Sequence, residues 1–251
     1  MEISGYLPDP HNSKDISFSS VKTEGQIEES VDLEPICGPV SNQLWLNSCV
    51  ANATGDSIEL INSVQGLSHS QVSRLQIYYN GRSIMYAIND DHTSLKDEGM
   101  WIRAAFRAIA NLGVCSEDEW PYDPKHVNTR PPVGLMFKSL KNKISGYYKI
   151  TNYKVAEFKR AISAMHPVVM GIPVNDGFKN YKGGILSPPE VGDKIYGHHA
   201  IMAMGFGPDF IKIRNSWGPG FGEDGYAKLD LAWIEIFAQD CWVPTRGEII
   251  K

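Results

Sequence analysis

No apolar run in this 251-residue chain approaches the ~20 residues that a membrane-spanning helix needs, so a membrane partner is not expected. Basic residues are outnumbered: 24 Lys and Arg stand against 29 Asp and Glu, for a formal charge of −5. No basic stripe gathers them, and nucleic acid is not expected as a partner either. Cysteine is sparse. Cys37, Cys49, Cys115 and Cys241 form no Cys-x-x-Cys pair and are too scattered for a disulfide framework. With His-x-x-x-His spacing also absent, no metal or other cofactor is expected. Met1 to Pro8 has neither the basic start nor the apolar core of a secretory leader. Internal repeats and low-complexity tracts are missing as well.

What remains is ordinary globular material, 42% hydrophobic and 21% charged, enough for one large domain or two halves sharing an interface. Residues 1–30 are rich in Pro, Asp, Ser, Asn and Gly, with Ile3, Tyr6, Leu7, Ile16 and Phe18 as their apolar anchors. They read as an extended arm, expected to strap onto the body, the alternative being a short pro-segment that plugs a cleft. From Cys49 onward Val50, Ala51, Ala53, Ser57, Ile58, Ile61 and Val64 recur at helical spacing, with Asn47 or Ser48 as N-cap. Gly55 inside that helix costs up to ~1 kcal/mol relative to Ala, so close packing is expected there. A second helix is expected from Ser68 or Ser70, carrying Val72, Leu75, Ile77, Tyr78 and Tyr79 into the core. A third is expected from Met100 to Leu112, stopped by Gly113. Asp90-Asp91 reads as a solvated loop.

Past Pro131-Pro132 the texture changes to short strand-like runs at 144–150, 168–174, 199–206, 210–213 and 226–229. A single helix is expected there, over 155–165. The chain therefore divides into a mainly helical lobe, 31–130, and a mainly β lobe, 131–251, an α+β arrangement.

Three stretches carry chemistry. Cys49 opens the first helix, where the helix dipole favours a thiolate by ~0.3–1 kcal/mol. His199 follows it by 150 residues, and Asn215 comes 16 residues later. A cysteine, histidine and asparagine in that order suit a thiolate–imidazolium pair assembled in a cleft between lobes. His198-His199 is a poor metal pair, because neighbours on a strand face opposite sides. Gly220-Phe221-Gly222-Glu223-Asp224-Gly225 satisfies a dinucleotide-type glycine pattern. It precedes the strand-like Tyr226-Ala227-Lys228-Leu229 rather than a helix, and reads as a hairpin connection.

These stretches resemble the papain/cathepsin family of cysteine peptidases, in particular its bacterial and viral branch. Gln43 stands six residues before Cys49, His199-Ala200 is similar to the family's catalytic strand, and Asn215-Ser216-Trp217-Gly218 closely resembles its Asn-Ser-Trp-Gly stretch. Gly113-Val114-Cys115 through Trp120-Pro121-Tyr122, Tyr181-Lys182-Gly183-Gly184-Ile185, Gly5-Tyr6-Leu7-Pro8-Asp9 and Asp97-Glu98-Gly99 extend the likeness. The resemblance implies a papain-like two-lobe fold, with a helical left lobe, an antiparallel β-barrel-like right lobe and the active site between them. It also implies hydrolysis of peptide or protein substrates. Cys49 would be the nucleophile, His199 the acid–base, Asn215 its orienter, and Gln43 with the Cys49 amide the oxyanion donors. Trp217 would shield the His–Asn bond, Gly99 would pair with substrate backbone, and Gly171 and His198 would line the S2 pocket. A peptide-binding relative with weak catalysis, or an acyl transferase using the same residues, are the alternatives. The chain departs from the family at Leu44 and Asn47, where relatives carry glycine. It departs again at Leu46, where many carry a disulfide cysteine, and at His198.

Overall fold

The computed structural model describes residues 5–21, 23, 26–67, 70–89, 94–152 and 154–247. Ile3, Ser68 and the Asp90-Asp91 run lie outside them. The front of the chain supplies helices α1 (Cys49–Val64), α2 (Arg74–Ile88) and α3 (Ile102–Leu112). After Pro132 come α4 (Val133–Ser139), β2 (Gly146–Ile150), α5 (Lys154–Ser163), β3 (Val168–Pro173) and the short α6 (Asp176–Lys179). Strands β4 (Ile185–Leu186), β5 (His198–Phe206), β6 (Phe210–Arg214), β7 (Tyr226–Asp230) and β8 (Gln239–Thr245) complete the second half. The described strands form one sheet in the order β2-β8-β3-β5-β6-β7-β4, with β1 (Val31–Asp32) added on β5. Only the β4–β7 pair is parallel. The α+β, two-lobe papain-like architecture is the one expected.

Differences lie at the element ends and have local causes. The stretch before α2 is extended, because Val72 bridges Ser116 and the Ser73 amide donates to the Cys115 carbonyl. The helix therefore starts at Arg74, capped by Ser73, whose hydroxyl accepts from the Gln76 amide. α3 starts at Ile102 rather than Met100, whose backbone is engaged by the N-terminal arm. Whole elements also differ: α4, α6 and β8 were not expected, the sequence pointing to a single helix in this half. The exposed Val133 and Phe137 hide the face of α4, and Asp240 and Pro244 interrupt the apolar pattern of β8. The glycine run at 220–225 joins β6 to β7, as a connection should.

α1 is the axle of the molecule. Its residues 49–62 are buried throughout, against α2 and α3 on one side and β3, β5 and β8 on the other. Gly55 permits the approach of α2: a Cβ there would stand 3.3 Å from Arg74 Nε and 3.5 Å from Ile77 Cδ1. A helix buried on all sides must satisfy its polar groups internally. Asp56 does so by receiving Arg74 Nη2 at 2.7 Å, with Arg214 Nε at 3.1 Å and the Ser41 hydroxyl also at 3.1 Å; Glu59 pairs with the same Arg74. The network ties the helix that carries Cys49 to the strand end that carries Asn215. Asp56→Ala leaves two buried guanidinium groups short of charge, and is expected to lower stability by ~3–5 kcal/mol. Chemical denaturation checks this; a loss smaller than ~1 kcal/mol would mean the network is not under tension from burial.

Candidate active site

The structure brings Cys49, His199, Asn215 and Gln43 together. Cys49 is the first residue of α1, and its Sγ accepts from the Ala200 amide of β5 at 3.4 Å, which sets it beside the base of His199. His199 Nε2 donates to Asn215 Oδ1 at 2.7 Å. The same oxygen accepts from the Ser216 amide at 2.8 Å, so the asparagine cannot turn freely. The other ring nitrogen, Nδ1, is buried and makes no hydrogen bond. Trp217 lies on the imidazole with centroids 4.8 Å apart, and Phe178 packs edge-on against both rings.

Gln43 is fixed from three directions. Its Oε1 accepts from the Ser216 hydroxyl at 2.7 Å, its backbone amide donates to the Ser216 carbonyl at 2.8 Å, and its carbonyl accepts from the Tyr122 hydroxyl at 2.9 Å. Nε2 donates to the Leu46 carbonyl at 2.9 Å, which uses one of its two hydrogens and leaves one for an oxyanion. The following Leu44, with φ +54°, occupies the left-handed region that favours glycine.

A polar clamp stands beside Leu46. Asp97 Oδ1 accepts from the Asn47 amide at 3.0 Å and from the Tyr78 hydroxyl at 2.7 Å, and the Asp97 carbonyl accepts from Asn47 Nδ2 at 2.8 Å. Tyr78 in turn accepts from the Gly99 amide at 3.0 Å. The loop that precedes α1 and the Asp97-Glu98-Gly99 loop before α3 are thereby held as one piece. Asp97→Ala strands a buried hydroxyl and a buried amide, at a cost of ~1–3 kcal/mol. Because the clamp holds the residue next but one before Cys49, kcat/KM on a peptide substrate is expected to fall about tenfold as well. Steady-state kinetics beside a melting curve separates the two; lost stability with kinetics intact would make the clamp structural only.

The N-terminal arm does two things. Beyond residue 11 it straps the body, with Phe18 fully buried and Ser17 bridged to Lys149. Before that it lies in the cleft. Gly5 sits directly over the Cys49 sulfur: a Cβ there would be 2.7 Å from Cys49 Sγ and 2.9 Å from the Asn47 carbonyl. The Met100 amide donates to the Gly5 carbonyl, and the Leu7 amide to the Met100 carbonyl, both at 3.2 Å. The backbone that engages an extended segment is thus that of Met100, one residue past the expected Gly99. The Tyr6 side chain enters a pocket whose wall includes Gly171 and His198, the two residues expected there. Tyr6, Met100, Asp97 and Asp240 were not singled out as site residues. The Gly5-Tyr6-Leu7-Pro8-Asp9 and Asp97-Glu98-Gly99 stretches stood out in the sequence without revealing what they touch.

With the arm in place Cys49 and His199 are fully buried. Burial pushes the Cys49 thiol up to about 12, against the opposing pull of the Ala200 amide. Burial also takes the His199 imidazole down to about 4, against its bond to Asn215. Burial thus opposes the charged form of both groups, against the helix N-terminus that favours a thiolate. Cys37, Cys115 and Cys241 are free thiols.

Residues 27–239 match the model of the papain family cysteine proteases. A peptidase C1-like protein of Acanthamoeba polyphaga mimivirus is 31% identical over 218 residues, covering 80% of this chain and 68% of that one. Papain of Carica papaya is 25% identical over 231 residues, 90% of this chain and 62% of its own. Among solved structures, xylellain, a cysteine protease from Xylella fastidiosa, superposes with a TM-score of 0.85 at 28% identity, covering 98% of this chain and 97% of that one. The chain belongs to the papain family of cysteine proteases, and is a peptidase of the hydrolase class.

Proposed function

We propose that the protein is a cysteine endopeptidase working through a Cys49 thiolate, a His199 imidazolium and an acyl-enzyme. The observation that carries this reading is the convergence of three chain segments on one point. The thiol of α1 meets the β5 backbone at Ala200, the imidazole of β5 is oriented by Asn215, and Gln43 is locked to Ser216 beside them. His199 Nδ1 is the only ring nitrogen left to take the thiol proton, since Nε2 is committed to Asn215. The thiolate attacks the peptide carbonyl; the Gln43 side-chain amide and the Cys49 amide hold the oxyanion. The imidazolium gives its proton to the leaving amine, then activates water against the thioester.

The arm supports a second part of the same reading: the chain holds itself inactive until residues 5–9 leave the cleft. Gly5 covers the sulfur, and so adds to the burial that opposes a charged thiolate beside it. Digestion of a peptide library by the full chain, with Cys49→Ala as control, tests the activity. Internal cleavage that disappears in the control is expected; cleavage confined to peptide ends would replace the endopeptidase by an exopeptidase. No cleavage by either protein, after treatments that release the arm, would leave only a peptide-binding cleft.

A further inference from the structure

The pocket that holds Tyr6 carries more than shape. The phenol ring is 2% exposed and lies flat on Gly171, where any Cβ would come within 2.3 Å of the ring carbons. His198 meets it edge-on, with centroids 6.4 Å apart. At the far end the Tyr6 hydroxyl donates to Asp240 Oδ2 at 2.6 Å. Burial, and next the Asp240 carboxylate, hold this phenol well above the usual tyrosine range, so it remains a donor.

The placement of Asp240 is a built feature. Where β8 runs beside β3, Trp242 pairs with Val169 but Gln239 pairs with Gly171, so β8 carries one residue more than its partner. Asp240 falls in that bulge with φ +43°, a left-handed conformation that aspartate tolerates better than most residues. The bulge turns a carboxylate into a pocket that an unbroken strand would have left apolar. The charge is answered from the neighbouring strand: Lys149 Nζ of β2 donates to Asp240 Oδ1 at 2.8 Å. Oδ2 faces the pocket, where it receives the Tyr6 hydroxyl and, at 2.7 Å, the Asp9 amide.

We infer that this is the S2 pocket of the working enzyme, and that Asp240, held by Lys149, makes it select peptides with tyrosine as the second residue before the scissile bond. The inference rests on the peptidase reading above. Tyrosine satisfies Oδ2 and fills the flat slot over Gly171. Phenylalanine fills the slot but leaves a carboxylate oxygen facing a ring edge. Arginine or lysine would bring a second cation towards Lys149, for a carboxylate whose charge is already matched. The arm occupies the cleft by presenting the side chain that the pocket was built to receive.

The test uses the full-length protein and four fluorogenic peptides identical except for Tyr, Phe, Arg or Leu at that residue. Tyrosine is expected to lead phenylalanine in kcat/KM by on the order of tenfold, the effect of one hydrogen bond to a charged group, with arginine below both. Each ratio is taken within one protein, so the effect of a variant on the arm or on stability cancels. In Asp240→Leu the Tyr-to-Phe ratio should fall to about one, since the acceptor is gone. In Lys149→Met the Arg-to-Tyr ratio should rise; an unchanged ratio would overturn the role given to the lysine. Equal rates on Tyr and Phe in the unaltered protein, or Arg foremost, would overturn the inference and leave the peptidase standing. No turnover of any peptide, together with no labelling of Cys49 by a thiol-directed peptidyl electrophile, would overturn the peptidase reading and this inference with it.

Discussion

Turnover by His199→Ala is expected to fall by ~10²–10⁴-fold, with the fold unchanged. The loss should reach the first chemical step as well as the last. Without the imidazole the sulfur lacks an acceptor for its proton among the described residues, since its hydrogen-bond partners, the Ala200, Val50 and Cys49 amides, are donors. A buried thiol alone is held above its ordinary range, so labelling of Cys49 by a peptidyl electrophile should slow in parallel with turnover. Raising the pH should then recover labelling but not hydrolysis, because deacylation still lacks its base. Asn215→Ala should cost less, ~10-fold or more, since it frees the ring to turn without removing it. Labelling that proceeds at the unaltered rate in a folded His199→Ala protein would break the proposed pairing of thiol and imidazole.

The segments that converge at the candidate site were legible because each is announced by local sequence. Cys49 opens a helix whose apolar period is plain. Asn215-Ser216-Trp217-Gly218 is a stretch whose backbone bridges to Ser41-Asn42-Gln43 explain its rigidity. The α+β division was readable for the same reason, since helical spacing gives way to short strands near Pro131-Pro132. The parts that stayed hidden depend on contacts between distant segments. Asp240 sits in a run of strand residues, and nothing in Gln239-Asp240-Cys241-Trp242 shows that a bulge turns it inward. Its partners Tyr6 and Lys149 are 234 and 91 residues away. Met100 looked like the start of a helix, and became an extended docking residue because the arm pairs with it. The Asn47–Asp97 clamp spans 50 residues. Leu46 stood out in the sequence, but the polar clamp beside it did not.

Gly5→Val is expected to raise the initial rate on a small peptide substrate about tenfold while leaving the melting temperature nearly unchanged. The added methyl groups would meet Cys49 Sγ and the Asn47 carbonyl, neither of which can yield without moving α1. Overfilling of this kind costs ~1–3 kcal/mol, and only the docked arm bears it. The strap is anchored independently at Phe18, so the body should hold. An unchanged or lower rate in a folded Gly5→Val protein would mean that the arm does not limit access. The same comparison reads a pH effect. Asp9, in the arm, is raised to about 7, first by burial and next by the Asp240 carboxylate. The Trp242 indole, the Arg103 amide and the Arg103 guanidinium oppose this. Arg103 is itself paired with Asp15 at 2.9 Å, and Lys149 and the Tyr6 phenol also bond to Asp240. A free arm returns Asp9 to the usual ~3.9, so the docked arm binds the proton more tightly than the free one. Docking is therefore favoured in acid, and that contribution is lost as pH rises from ~4 through about 7. Dividing the rate of the unaltered protein by that of Gly5→Val at each pH removes the ionisations of the catalytic pair. The quotient should climb across this window, and a flat quotient would take Asp9 out of the control of the arm.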